Sequence, residues 1–405
     1  MALTMTQIDI IRSTAPILKD HGEAITRRFY ADLLTENPSL NEVFNQANQK
    51  SNHQAAALAG ALYAYATNIN DLGALTPAVT KICHKHASLN IQPEQYEVVG
   101  EYLLKAMGNV LGAALTPKIL EAWTVAYWQL ANLMIGQEAQ LLATTGQWKD
   151  GRDFKIVAKS QESSEITSFY LAPVDERPLP SFLPGQYISV TVFVPELGYH
   201  QARQYSLSDA PKAEHYRISV KRQTGDADGH PGFVSNVLHD LEQVGDTISV
   251  SHPFGEFFLD FTKDKGKPIV LIAAGVGITP MISILNASVL AGYQPRISII
   301  QTARSGSVRA FANHCADLAS KHANVSFKSL VKDADPCGCH DVRGRLSLSA
   351  LDPKDDLLLD DTSTLYFVCG PEGFMADIHR DLCGMGVGSA RIRMEIFGTG
   401  ASPSA

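Results

Sequence analysis

The chain has 405 residues, of which 45% are hydrophobic and 19% charged, and its formal charge is −8. That length accommodates two or three domains, and net acidity without a Lys/Arg run excludes a nucleic-acid partner gripped by its phosphates. No apolar run reaches the roughly eighteen residues of a membrane helix. The nearest stretch, residues 269–285, is interrupted by Gly275, Gly277, Thr279 and Pro280, so no stable membrane insertion is expected. The N-terminus lacks the charged start, apolar block and small-residue cleavage site of a secretory signal, and a cytoplasmic location is expected. Cys83, Cys315, Cys337, Cys339, Cys369 and Cys383 are scattered along the chain, which fits free thiols in a reducing compartment. Cys337-Gly-Cys339-His340 has no second ligand pair at zinc-finger spacing and reads as a surface loop.

Residues 1–148 predict helices throughout, with breaks at His21-Gly22, Asn37-Pro38, Gly73, Gln92-Pro93 and Thr116-Pro117. One helix carries Ile25, Phe29, Tyr30, Leu33 and Leu34, and the next aligns Gln54, Leu58, Ala61, Leu62 and Tyr65. Thr76 is placed to cap a helix that starts at Pro77, with Val79, Ile82, Cys83 and His86 on one stripe. His84 lies about 200° around the axis from that stripe. Pro93 opens a further helix with Tyr96, Val99, Gly100, Leu103, Leu104 and Met107 inward, and the last runs over 119–142 with Trp123, Tyr127, Leu130, Met134, Glu138 and Leu141 inward.

A histidine on an apolar face is either a satisfied core residue or a ligand, and Glu138 either snorkels from a helix edge or is buried with a partner. His86, Tyr96 and Glu138 together, all facing the inside of a small all-α domain, point to a prepared site. No Cys-x-x-Cys-His stands anywhere in the chain, so a haem held here is non-covalent.

After the polar hinge at 148–153 the texture changes to short β-rich runs at 154–159, 165–171, 186–194, 216–221 and 247–251, punctuated by Pro, Gly and Asp. That spacing predicts an antiparallel barrel. Pro184-Gly-Gln-Tyr187 precedes Arg203-Gln204-Tyr205-Ser206-Leu207, a combination suited to a flavin dinucleotide or, equally, to a surface strand. The guanidinium can clamp a pyrophosphate, an aromatic ring can pack on isoalloxazine or its linker, and hydroxyl and backbone N–H groups can bond the ring edge. Gly232 and Ser235 open a short helix that can seat an anion.

The last third begins with an apolar strand at 268–273, then Ala274-Gly275-Val276-Gly277-Ile278-Thr279-Pro280 and an apolar helix to Leu290. Strand, glycine turn and helix N-terminus make a dinucleotide phosphate site, although the strict GxGxxG fingerprint is missing. Strands at 296–301, 325–331 and 364–369 alternate with helices, as in a parallel sheet covered on both faces. Cys369-Gly370-Pro371 repeats the strand-to-glycine turn, and Glu395-Ile396-Phe397-Gly398 closes a final strand. Only Arg304 and Arg309 follow the second strand, which leaves NADH and NADPH both open.

These motifs, in this order, resemble the flavohaemoglobins over essentially the whole chain. The helical third is similar to their globin domain through Tyr30, Phe44, Gln54, Leu58, the run around His86, Tyr96 and Glu138. The remainder is similar to the FAD and nicotinamide lobes of the ferredoxin–NADP reductase superfamily. The resemblance implies a globin domain at 1–148, a β-barrel FAD domain at 152–262 and an α/β NAD(P)-binding domain at 266–405. It implies haem b, FAD and NADH or NADPH as cofactors. By it, His86 is the proximal iron ligand, with Tyr96 and Glu138 bonding it from behind. Phe44 wedges against the porphyrin, Tyr30 and Gln54 face bound ligand, Leu58 gates access and Lys85 lies at the haem edge. Tyr187 and Arg203–Ser206 hold FAD, and Ser235 stays a cofactor candidate by its place at the start of a short helix. Residues 274–279, Cys369, Gly370 and Pro371 hold the nicotinamide cofactor, with Glu395, Ile396, Phe397, Gly398 and Thr399 against the flavin. Thr399 stands where many members of the family carry proline.

The implied activity is nitric oxide dioxygenation: NAD(P)H reduces FAD, FAD reduces haem iron, and ferrous haem with O2 converts NO to nitrate, in a chain expected to be monomeric. The module order supports it, because hydride delivers two electrons, haem takes one at a time, and a flavin does both. A haem-based gas sensor or O2 store, and a flavohaem reductase acting on alkyl hydroperoxides, are the rival readings. The reductase lobes weigh against the first, since a store needs no dedicated electron supply.

Overall fold

The computed structural model describes residues 3–44, 52–145, 148, 150–225, 231–240, 242–332 and 342–398. By its internal contacts the chain falls into two compact units. One holds Met1–Gly151 with Thr191–Arg203, and the other holds Arg152–Val190 and Gln204–Gly398.

The first unit is built on helices α1 (Met5–Ser13), α2 (Ala15–Glu36), α3 (His53–Thr67), α4 (Thr76–Ser88), α5 (Pro93–Leu111) and α6 (Pro117–Ala143). Their starts are chemically encoded. Thr4 and Gln7 form a capping box on α1, proline occupies the first turn of α5 and α6, and the Thr116 hydroxyl accepts from Ile119 N. The inward stripes meet in one core around Ile25, Phe29, Leu33, Leu103, Met107 and Trp123.

Three local expectations are corrected. Helix α2 runs unbroken through His21-Gly22, because Gly22 serves packing rather than termination: a Cβ there would lie 3.2 Å from the Ala59 Cβ on α3. Thr76 is the first helical residue rather than the cap, which is Leu75 and makes no side-chain bond. Ile82, placed on the inward stripe of α4, is 37% exposed.

The strands form two six-stranded sheets. The first has strand order β4-β3-β6-β1-β2-β5, formed by β1 (Arg152–Gln161), β2 (Ile166–Pro173), β3 (Tyr187–Val194), β4 (Tyr199–Ser206), β5 (Tyr216–Lys221) and β6 (Thr247–Val250). Pairings of β1 with β2 and β6, and of β2 with β5, are antiparallel. An antiparallel bridge between Leu207 and Ile218 brings the end of β4 to β5 and curls the sheet toward a barrel. The Arg203–Leu207 run, expected just after the early strands, is the end of β4 and the bridge that follows it. Parts of β3 and β4, residues Thr191–Arg203, cluster with the helical unit.

The other sheet is parallel in every described pairing, in the order β10-β9-β8-β7-β11-β12. Its strands are β7 (Ile269–Ala274), β8 (Ile297–Ala303), β9 (Val325–Val331), β10 (Val342–Arg343), β11 (Leu365–Cys369) and β12 (Ile392–Glu395). Successive side chains of β7 enter opposite faces. Ile269, Leu271 and Ala273 pack with α8 (Ile278–Leu290), while Val270 and Ile272 pack with Met375, Ile378 and Leu382 of α10 (Glu372–Gly384). A strand buried on both sides reads as a continuous apolar run for that reason. The short helices α7 (Phe233–Asp240) and α9 (Ala312–Lys321) complete the unit among the described residues.

No helix among the described residues is long and apolar enough to cross a membrane. Cys83, Cys315, Cys369 and Cys383 are free thiols. Cys337, Cys339, His340 and Thr399 lie outside the described residues.

Candidate functional site

Helices α4, α5 and α6 bring three polar side chains together in an otherwise apolar cluster of Cys83, Ala131 and Met134. His86 lies in the last turn of α4, Tyr96 in the first turn of α5, and Glu138 one turn beyond Met134 on α6. Glu138 Oε1 is 2.6 Å from the Tyr96 hydroxyl and 2.9 Å from His86 Nδ1, and the hydroxyl and Nδ1 are 2.8 Å apart. The carboxylate accepts from both neighbours, which is what makes a 4% exposed Glu tolerable here. Burial, then the bond to Glu138, pushes the Tyr96 phenol well above its ordinary value, so it stays a donor. Burial and the same carboxylate raise the Cys83 thiol to about 12.

With its proton on Nδ1 and directed at Glu138, the His86 ring carries its lone pair on Nε2. The side chain is 29% exposed, and Nε2 has no hydrogen-bond partner among the described residues. An imidazole fixed from behind by a carboxylate, partly exposed and with no partner among the described residues at its other nitrogen, fits the chemistry of a haem-iron ligand.

Tyr127 belongs to this group although its role was not foreseen. Its hydroxyl donates to Tyr96 O at 2.5 Å, and its ring fills the space beside Gly100, where a Cβ would fall 2.4 Å from Tyr127 Cε1. Both residues lay on predicted inward stripes, so the signal was present, but only packing shows that one fills the gap left by the other.

A second set forms around Tyr30 on α2. Its ring stands edge-on to Phe44 at 5.5 Å and to Phe29 at 4.7 Å. The Gln54 side chain hydrogen-bonds its hydroxyl, and burial pushes the phenol above its ordinary range. Leu58, one turn along α3 from Gln54, and Phe44 are partly buried against the same core. Lys85 is half-buried next to His86.

On the barrel, Tyr187 opens β3 and bridges Phe254, and its ring lies 3.0 Å from where a Cβ on Gly255 would be. Gly255 has φ of +120° as well, so glycine is required there twice over. Arg203, Gln204 and Tyr205 are half-buried at the end of β4, and Ser206 is buried. Arg203 Nη1 donates to Ala202 O at 2.6 Å, and Gln204 Nε2 to Ser189 Oγ at 3.1 Å. Ser235, near the start of α7, donates to Gly232 O at 3.1 Å and accepts from Gln223 N at 3.3 Å.

The two glycine turns of the parallel sheet abut. Ala274 ends β7, Gly275 and Val276 turn the chain, and α8 starts at Ile278 with the Thr279 hydroxyl donating to Val276 O. A Cβ on Gly277 would lie 2.3 Å from Cys369 O, and one on Gly370 would lie 2.9 Å from the Ala274 Cβ. Pro371 then caps α10. Across the sheet Cys369 pairs with Glu395 of β12; both are buried. Ile396 is half-buried, Gly398 is exposed, and the Phe397 ring, at 47% exposure, is not a core side chain. All of these residues stand at the carboxyl ends of β7, β11 and β12, where ligands bind in open parallel sheets.

Comparison with known proteins follows the same division. A globin family model matches residues 27–134, and an oxidoreductase NAD-binding domain model matches residues 271–380. A flavohemoprotein of Bordetella parapertussis is 45% identical over 400 residues, covering 96% of this chain and 97% of its own length. One from Bacillus subtilis is 42% identical over 399 residues, covering 96% of each. Among solved structures, a flavohemoglobin from Malassezia yamatoensis with bound FAD and heme superposes with a TM-score of 0.87 at 27% identity, covering 98% of this chain and 100% of that one. The FAD/NAD-binding domain of a nitric oxide dioxygenase from Vibrio cholerae superposes with a TM-score of 0.55 at 35% identity, covering 62% of this chain and 99% of that one. At this identity, with nearly the full length of both chains covered, the chain belongs to the flavohemoprotein family.

Proposed function

We propose that the protein is a nitric oxide dioxygenase that uses NADH or NADPH, FAD, non-covalent haem b and O2 to convert NO to nitrate. The observation that carries this reading is Glu138, buried and accepting from both Tyr96 and His86. A carboxylate behind the imidazole raises its basicity and favours O2 activation over simple carriage. The family, and the Vibrio cholerae relative described as a nitric oxide dioxygenase, support the same activity.

When bound, haem supplies the iron centre for O2 chemistry, and FAD converts hydride input into single electrons. The chain's own residues do the rest. His86 would hold the iron, with Tyr96 and Glu138 keeping its Nδ1 proton in place. Tyr30, held protonated by burial and oriented by Gln54, supplies an O–H donor on the ligand side. Phe44 would wedge against the porphyrin, Leu58 would gate access to the ligand side, and Lys85 would lie near the haem edge. Arg203 would grip the flavin pyrophosphate, with Tyr187, Gln204, Tyr205, Ser206 and Ser235 completing its seat. The turns at 274–279 and 369–371 would cradle the nicotinamide cofactor, and Glu395, Ile396, Phe397 and Gly398 would set how it meets the flavin. The modules run 1–148, 152–262 and 266–405, in a monomeric cytoplasmic enzyme.

The test is stopped-flow mixing of the NADH-reduced, oxygenated holoprotein with NO. Two nitrates formed per NADH consumed are expected, since each hydride supplies two electrons and each NO oxidised takes one. NADH oxidation without matching nitrate would sink the reading.

A further inference from the structure

Gln201 lies on β4 two residues before Arg203 and is fully buried. Its amide nitrogen donates to Asn41 O at 2.7 Å, with Phe44 O at 3.3 Å and Glu42 O at 3.4 Å. Its amide oxygen accepts from Arg203 Nη1 at 3.2 Å. Gln201, Arg203 and residues 41–44 all belong to the same compact unit. Backbone carbonyls at the end of the short 3-10 turn Pro38–Glu42 therefore converge on one donor, while the other end of the same side chain meets a guanidinium. A carboxamide presents a donor and an acceptor on one rigid plane. Glutamate has the same shape and no donor, and leucine has neither. The segment held in this way carries Phe44, whose ring packs edge-on to Tyr30.

We propose that Gln201 is a positioning residue that couples the two cofactor sites, orienting the Arg203 fork and pinning the Asn41–Phe44 wall through a single side chain. This rests on the roles proposed above for Arg203 toward FAD and Phe44 toward haem. It predicts that flavin anchoring and order over residues 41–44 respond to this one residue.

The test compares Gln201→Glu and Gln201→Leu in the full-length holoprotein. Amide hydrogen exchange over residues 38–44, the FAD dissociation constant and the rate of flavin reduction by NADH are measured on each. Gln201→Glu retains the acceptor for Arg203 and loses the donor. Exchange over 38–44 is expected to rise about tenfold, as for the loss of one buried hydrogen bond, with FAD affinity kept. Gln201→Leu is expected to raise exchange similarly and to weaken FAD about fivefold or more, since the guanidinium keeps its bond to Ala202 O and loses the one to the Gln201 side chain. Flavin reduction by NADH at saturating FAD is expected to be unchanged in both, which a general folding defect would not permit. Wild-type exchange over 38–44 in Gln201→Glu, or wild-type FAD affinity in Gln201→Leu, overturns the coupling. Arg203→Ala and Phe44→Ala serve as controls. Full FAD retention in the first, or an unaltered haem spectrum in the second, would instead break the site reading beneath it.

Discussion

The Tyr96 hydroxyl donates to Glu138 across 2.6 Å, tying the first turn of α5 to the far part of α6 directly behind His86. The imidazole is thus backed by a charged acceptor rather than by a neutral carbonyl, and that choice sets its electron donation.

Glu138→Gln keeps the shape and removes the charge. Turnover with NO is expected to fall about 10–100-fold, the usual cost of losing an outer partner of a metal ligand. Haem content should be retained, and the iron–histidine stretching frequency in resonance Raman should drop. Wild-type turnover with an unshifted frequency would contradict the role given to Glu138.

Tyr30→Phe removes the buried donor that Gln54 orients. Loss of one hydrogen bond of about 1–1.5 kcal/mol corresponds to roughly tenfold faster O2 dissociation. Displacement of O2 by CO in a stopped-flow instrument measures it, and an unchanged rate would remove Tyr30 from the ligand side.

Gly277→Ala drives a Cβ onto the Cys369 carbonyl at 2.3 Å, backbone against backbone, where no side chain can swing aside. A destabilisation of about 1–3 kcal/mol is expected, together with a raised KM for the nicotinamide cofactor as the two turns part. Thermal melts followed by FAD fluorescence, with steady-state kinetics alongside, check both effects.

Asp264 is 1% exposed and receives Arg393 Nη1 and Nη2 at 2.8 and 2.9 Å and Lys267 Nζ at 3.1 Å. Burial pushes its carboxyl up, but the bonds from Arg393 and Lys267 outweigh burial and hold it below the ordinary range. A depressed folded value means its stabilisation is present above about pH 4, where the unfolded carboxylate is ionised. That contribution is lost as pH falls further through the folded value. Asp264→Asn should cost about 2–3 kcal/mol at neutral pH and flatten the acid limb of a urea-unfolding series. A variant whose stability falls with acid as steeply as wild type would disprove this assignment.

The local parts of the fold were legible in the sequence because their causes are local. Prolines at the starts of α5 and α6, the inward stripes of the helices, and the double-sided apolar run of β7 depend on residues a few positions apart. Period and capping identify those elements without any knowledge of distant partners. The same locality explains the errors. Gly22 reads as a helix break until Ala59 is seen against it, and β4 hides because its polar residues face specific partners instead of alternating with apolar ones.

By itself, then, the sequence determined the three kinds of element, the inward phase of His86, Tyr96 and Glu138, and the two glycine turns. Tertiary structure alone decided which of these side chains meet. His86 and Glu138 are 52 residues apart and Gln201 and Asn41 are 160 apart, and nothing in either local pattern specifies the other. A helix stripe states that a side chain faces inward. Only the crossing of α4, α5 and α6 puts the carboxylate within 2.9 Å of Nδ1, and with it settles which nitrogen of the imidazole is left with a lone pair.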